Sequence, residues 1–128
     1  MTAAISPDLR RFLLGGSLSV PHVEAILQLR HGGSTTWNAE RLAARLYVGA
    51  ERAALLLSEL NAAGVVSEAQ TEHDSTYSYN PQSPELTSLL DELEKAYAEH
   101  LVAVTQLIHT AEERKALNFA DAFRFRKE

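Results

Sequence analysis

The sequence predicts a mainly α fold with one small β-hairpin and a long C-terminal helix. Three observations carry that reading. Two apolar helical patterns, 39–47 and 50–62, are separated only by Val48 and Gly49. Two short β-rich runs, Val65 to Gln70 and Thr76 to Tyr79, flank the polar tip Thr71-Glu72-His73-Asp74-Ser75. From Glu85 to about Glu113 no proline or glycine interrupts a helix.

Ser6-Pro7-Asp8 opens a short helix, with a capping hydroxyl and proline in the first turn. Leu9, Phe12 and Leu13 give it an apolar face before Gly15-Gly16 ends it. Ser19-Val20-Pro21 opens a second helix, with Val23, Ile26, Leu27 and Arg30 at helical spacing before His31-Gly32-Gly33. Trp37 is expected to anchor this helix to the next, which Asn38 caps and which turns Leu42, Ala43 and Leu46 inward. Ala53, Leu56, Leu57 and Leu60 form the buried side of the helix over 50–62. Gly64 stops that helix in the left-handed conformation that glycine tolerates best. Two helices across a tight turn, followed by a hairpin, describe a winged helix-turn-helix.

Pro81 and Pro84 precede the longest element, which at 1.5 Å per residue would run roughly 45 Å. One heptad register places Leu86, Leu93, His100 and Leu107 at one seam position and Leu90, Tyr97, Val104 and Ala111 at the other. Leu89, Ala96, Leu101, Ala103 and Ile108 widen the stripe, so the helix is expected to pack both on its own chain and on a second copy. A long helix lying across one monomer is the alternative. His100 would either face its mate across a two-fold axis, where two imidazoles repel once charged, or lie hydrated at the seam edge. A short terminal helix capped by Asn118 is expected to dock Phe119 and Phe123, with Arg124, Arg126 and Lys127 beyond. The expected organisation is an N-terminal helical arm (1–19), a winged domain (20–80) and a dimerisation segment (81–128).

A chain of 128 residues suits one small domain with an oligomerisation element. With no cysteine, disulfides and thiolate chemistry are excluded. No apolar run reaches the ~18 residues of a membrane span and no signal-peptide pattern opens the chain, so a cytoplasmic protein is expected. The net charge of −5 argues against indiscriminate nucleic-acid binding, which draws on Lys and Arg displacing counterions from phosphate. Residues 34–64 are neutral, the wing 65–80 sums to −3, residues 81–113 to −6 and the tail 114–128 to +3. The basic tail either pairs with the acidic helix or reaches DNA phosphates.

From Leu42 to Val66 the chain resembles bacterial winged helix-turn-helix regulators of the MarR and PadR kind. The signs are Leu42-Ala43, Leu46 and Val48 across the turn, then Leu57, Leu60 and Gly64-Val65-Val66 leading into the wing. Phe119-Ala120-Asp121-Ala122-Phe123-Arg124 also looks like the ending of a group of small uncharacterised bacterial proteins. The resemblance implies a homodimeric transcriptional regulator that sets its second helix in the major groove of double-stranded DNA and its wing against phosphate. It also implies a possible small-molecule effector.

Residue chemistry both supports and strains that implication. On the outer side of the helix 50–62, Arg52, Ser58 and Glu51 suit base edges, and Leu55 or Ala54 suits a thymine methyl. Arg41 and Arg45, four apart, suit backbone phosphates; Arg10, Arg11 and Arg30 are further positioning residues or plain surface charges. At the wing tip, Glu72 and Asp74 stand where cations are expected, and His73 helps only when protonated. The rival reading is a protein-interaction module that keeps the winged fold without DNA, carried by Ala54-Leu55 and the acidic wing.

The five histidines form no i, i+4 pair, so no metal site is expected, and no cofactor. There is no nucleophile elbow and no phosphate-cradling loop, so no catalytic residues are expected and the protein is not read as an enzyme.

Overall fold

The computed structural model describes residues 5–15, 18–32 and 35–126, with side chains to residue 115. Among the described residues, six helices and one hairpin follow in order: α1 (Pro7–Leu14), α2 (Val20–His31), α3 (Ala39–Leu46), α4 (Ala50–Ala62), β1 (Val66–Gln70), β2 (Ser75–Tyr79), α5 (Pro84–Glu99) and α6 (Leu101–Arg126). This is a mainly α fold with a β-hairpin wing. The chain divides into two compact units, residues 21–88 and residues 1–20 with 89–128.

The unit of residues 21–88 is built on α2, α3 and α4. Val23, Ala25, Ile26 and Leu29 of α2 are buried, as are Leu42 and Ala43 of α3 and Ala53, Leu56, Leu57 and Leu60 of α4. Asn38 caps α3 by accepting from the Arg41 N–H at 2.8 Å, which satisfies one of the open donors of the first turn. The α3–α4 turn departs from expectation. Tyr47, expected as the last residue of the helix over 39–47, instead carries the left-handed backbone (φ 58, ψ 43) that ends α3, a conformation costing a side-chain-bearing residue roughly 1 kcal/mol. Gly64 has φ +82 after α4, as its sequence position predicts, and a β-carbon there would meet the Gln82 side chain.

The wing is an antiparallel pair in the register Val66↔Tyr79 to Gln70↔Ser75. Its tip is closed locally: the Thr71 N–H donates to the Asp74 carbonyl at 2.8 Å, and the Ser75 N–H donates to Asp74 Oδ1 at 3.0 Å. On the far side of β2, Trp37 and Tyr77 exchange two backbone hydrogen bonds of 2.7 Å each. The chain entering α3 therefore acts as a one-residue third strand. Trp37 is 2% exposed, and its ring fills the place where a Gly32 β-carbon would stand, 2.8 Å from that position. Two polar ties complete the unit: His22 Nε2 to Glu59 Oε1 at 2.8 Å, joining α2 to α4, and Arg30 donating to the Tyr79 hydroxyl at 3.0 Å, joining α2 to β2.

In the other unit, Ile5, Leu9, Leu13 and Leu18 are buried together with Leu90, Leu93, Ala96, Val104, Ile108 and Ala111. Ser6 caps α1 through the Leu9 N–H at 3.2 Å. Its hydroxyl also donates to Glu92 Oε2 at 3.2 Å. The expected single helix over 85–113 is corrected here: it breaks at His100 into α5 and α6. His100 closes α5 through its N–H to the Ala96 carbonyl at 2.6 Å and starts α6 by accepting from Val104 at 3.0 Å. The Thr105 hydroxyl bonds the Leu101 and Val102 carbonyls at 3.0 Å, a back-bonding that bends helices. Conversely, no new helix begins at Asn118, because α6 runs unbroken to Arg126.

Candidate nucleic-acid interface

The outer side of α4 is set by its inner side. With Ala53, Leu56, Leu57 and Leu60 buried, helical geometry turns Glu51, Arg52, Ala54, Leu55 and Ser58 outward, and all five are exposed. Leu55 is 58% exposed, a large apolar group in water. Gly49 caps α4 with no side-chain hydrogen bond, so the first-turn N–H groups are not taken up by a capping side chain.

Arg41 and Arg45 are exposed on α3. Arg41 is held in place: its guanidinium stacks 4.6 Å over the Trp37 ring and donates to the Thr36 carbonyl at 3.2 Å. A stacked guanidinium keeps its outward N–H groups for a phosphate while losing little side-chain freedom on binding. Arg30, by contrast, is half-buried and committed to Tyr79.

At the wing tip Glu72 and His73 are almost wholly in solvent, with Nε2 and Oε2 4.0 Å apart. Asp74 is occupied with the turn itself. Along β1 and β2, the Glu68 carboxylate accepts from the Tyr77 hydroxyl at 3.4 Å and from Asn61 at 3.5 Å. Burial raises the Tyr77 pKa above the usual 10.0, and the Glu68 charge and hydrogen bond add to the rise. The folded state therefore favours neutral Tyr77. This contribution is complete below the unfolded tyrosine pKa and is lost as pH climbs through the raised folded value. Tyr77→Phe should accordingly flatten part of the stability decline above pH 10, measured by denaturant unfolding across an alkaline series.

No family model matches the chain, and no curated protein matches its sequence. Among solved structures that resemble it, RV1404 from Mycobacterium tuberculosis is 11% identical, over 91% of this chain and 80% of that one, with a TM-score of 0.52. A MarR family protein from Bacillus stearothermophilus is 14% identical, over 90% of this chain and 82% of that one, with a TM-score of 0.50. The fold is a MarR-like winged helix.

Within this MarR-like fold, the residues expected to dimerise separate into two groups. Leu90, Leu93 and Val104 are 0% exposed. Their surface is consumed inside their own unit, which corrects their placement on a seam facing a partner. Leu86, Tyr97 and Leu107 are half-buried and His100 is exposed. Because the helix breaks at His100, a single heptad register does not run through these positions. Among the described side chains of α6, the large apolar groups left in water are Leu101 (48% exposed) and Val102 (67%). The side chains of Phe119 and Phe123 lie outside the described residues. Among the described residues, no cluster of three His, Cys, Asp or Glu could hold a metal ion, and no helix is long and apolar enough to cross a membrane.

Sequence reasoning did not single out Tyr47, which lies in the turn between α3 and α4. It precedes α4 by three positions and is 94% exposed. A periodicity argument treats it as the last residue of an amphipathic helix, and nothing in the pattern signals a left-handed backbone at a non-glycine residue.

Proposed function

We propose that the chain is a cytoplasmic, homodimeric transcriptional regulator that binds double-stranded DNA through α4. The observation that carries this reading is the outer face of α4. Arg52, Ser58 and Glu51 offer hydrogen-bonding groups matched to base edges, on a helix whose opposite face is locked into the core. Arg41 and Arg45 flank that face from α3 and hold phosphates, and the wing tip with His73 lies along the neighbouring backbone. The dimer forms through the C-terminal helices, where Leu86, Tyr97, His100 and Leu107 retain exposed surface and Leu101 and Val102 add apolar area. Paired α4 helices read half-sites about one helical turn apart.

The chain's acidity shapes the mode of binding. With so few arginines facing each half-site, counterion release is small and affinity falls only shallowly with salt. Base contacts must then supply a larger share of the binding than in a basic regulator.

The test is selection from a pool of random duplexes at two salt concentrations. A two-fold symmetric site is expected to enrich. On that site Arg52→Ala should relax preference at the contacted position by about 1–3 kcal/mol, whereas Arg41→Ala should weaken every sequence alike. Binding unchanged by both substitutions would refute this docking. A second reading, a winged module that binds protein, rests on Leu55 with Ala54 beside it and the acidic wing. It predicts a folded dimer that enriches no duplex at the lower salt.

A further inference from the structure

We infer that Tyr47 is a DNA-contacting residue, its phenolic O–H donating to a backbone phosphate oxygen at the edge of the groove that α4 enters. The inference rests on the DNA-binding reading above and adds to it a contact that carries no charge.

Three observations converge on Tyr47. Its backbone is left-handed, and it is the one non-glycine residue with positive φ among the described residues. Glycine is the residue that ends helices in this conformation without steric penalty, and asparagine follows it. A tyrosine here is therefore not explained by the turn. Nor is it explained by packing: at 94% exposure the ring buries almost nothing, so the fold gains little in return for the backbone strain. Strain that local packing does not repay is a pointer to function. The third observation is position. Tyr47 is the C-cap of α3, two residues beyond Arg45 and two before the Gly49 cap of α4, so it stands between the proposed phosphate anchors and the proposed reading helix.

The chemistry fits a chain with net charge −5. Tyrosine is one of the neutral side chains that donate to phosphate oxygens. Such a bond adds affinity and register without adding a cation, and its ring can cover the adjoining deoxyribose. Because no counterion is displaced by a neutral donor, the contact leaves a distinctive mark: affinity changes while the slope of log affinity against log salt does not.

The experiment uses the full-length chain and a duplex enriched by the wild type from a random pool. Dissociation constants are measured at several salt concentrations for wild type, Tyr47→Phe and Tyr47→Gly, alongside thermal melting. Tyr47→Phe should weaken binding roughly 10- to 100-fold per contact, the usual worth of one hydrogen bond to a charged group, with an unaltered salt slope. Tyr47→Gly should weaken it at least as much yet melt no lower than wild type, since glycine relieves the turn. If both variants bind the enriched duplex as tightly as wild type, the Tyr47 contact is refuted and the DNA-binding reading stands. A steep loss of melting temperature in Tyr47→Gly would likewise overturn it, by giving Tyr47 a role in the fold. If the wild-type dimer enriches no duplex, the DNA-binding reading fails and this inference with it.

Discussion

Trp37→Ala should lower stability by about 3–5 kcal/mol, the range for emptying a buried large aromatic site. Against a total of roughly 5–15 kcal/mol for an ordinary domain, that approaches unfolding. The expectation follows from what the indole replaces. It is 2% exposed and occupies the space that Gly32 leaves by lacking a side chain, so alanine opens a cavity between α2 and the start of α3. The Trp37–Tyr77 backbone bonds can persist in the variant, but Arg41 loses the ring on which it stacks. One detail sets the scale of a milder change. Among the described residues the buried indole Nε1–H meets no hydrogen-bond partner, and an unmade bond costs the folded state free energy. Trp37→Phe removes that donor along with part of the ring, so it should cost clearly less than alanine. Because Trp37 is the single tryptophan, unfolding of both variants is best followed by far-UV circular dichroism in urea. An alanine variant within 1 kcal/mol of wild type would show that the indole is not the anchor of this unit.

The largest gain in DNA affinity should come from Glu72→Lys. Glu72 and His73 are the outermost groups of the wing, and neither bonds the hairpin backbone in a way that a lysine at 72 would disturb. Asp74 is the wrong choice for this test, since its carboxylate accepts the Ser75 N–H and its carbonyl closes the tip. In a homodimer the substitution acts at two wings. Each new phosphate contact steepens the dependence of log affinity on log salt by about 0.9, so the slope should steepen by up to roughly 2. Low-salt affinity should rise at least about 10-fold, with non-specific duplex gaining proportionately as much as operator, because a lysine–phosphate pair carries no sequence information. A slope identical to wild type would mean that the wing does not approach phosphate.

The helix-turn-helix was legible because its signals are local and redundant. Asn38 caps, Leu42 and Ala43 point inward, four residues of α4 recur at helical spacing, and Gly64 stops the helix. Each of these is a consequence of one residue type in one backbone state. The break at His100 was not legible, since no proline or glycine marks it; the only local trace is Thr105, whose hydroxyl competes for the carbonyls of the first turn of α6. The seam on α5 and α6 misled for a different reason. An apolar stripe states that a face is buried but not by what, and Leu90, Leu93 and Val104 turned out to be enclosed by their own unit. In the interface, the exposed residues of α4 followed from its buried ones. Tyr47 did not, because its conformation comes from the geometry of the α3–α4 turn and not from its own preferences.

The Trp37–Tyr77 bridge also bears on how the protein behaves when crowded. A two-stranded hairpin has two open edges, each a template for strand addition by another chain. Here the middle of β2's outer edge is occupied by Trp37, which leaves β1 as the longer unpaired run. That run reads Val66-Ser67-Glu68-Ala69-Gln70, exposed after its first residue and carrying a carboxylate at its centre. A charged, mostly polar edge of five residues is a poor seed for self-association. The residue whose indole fills the core thus also screens, through its backbone, the more aromatic strand, with Tyr77 and Tyr79, from intermolecular pairing.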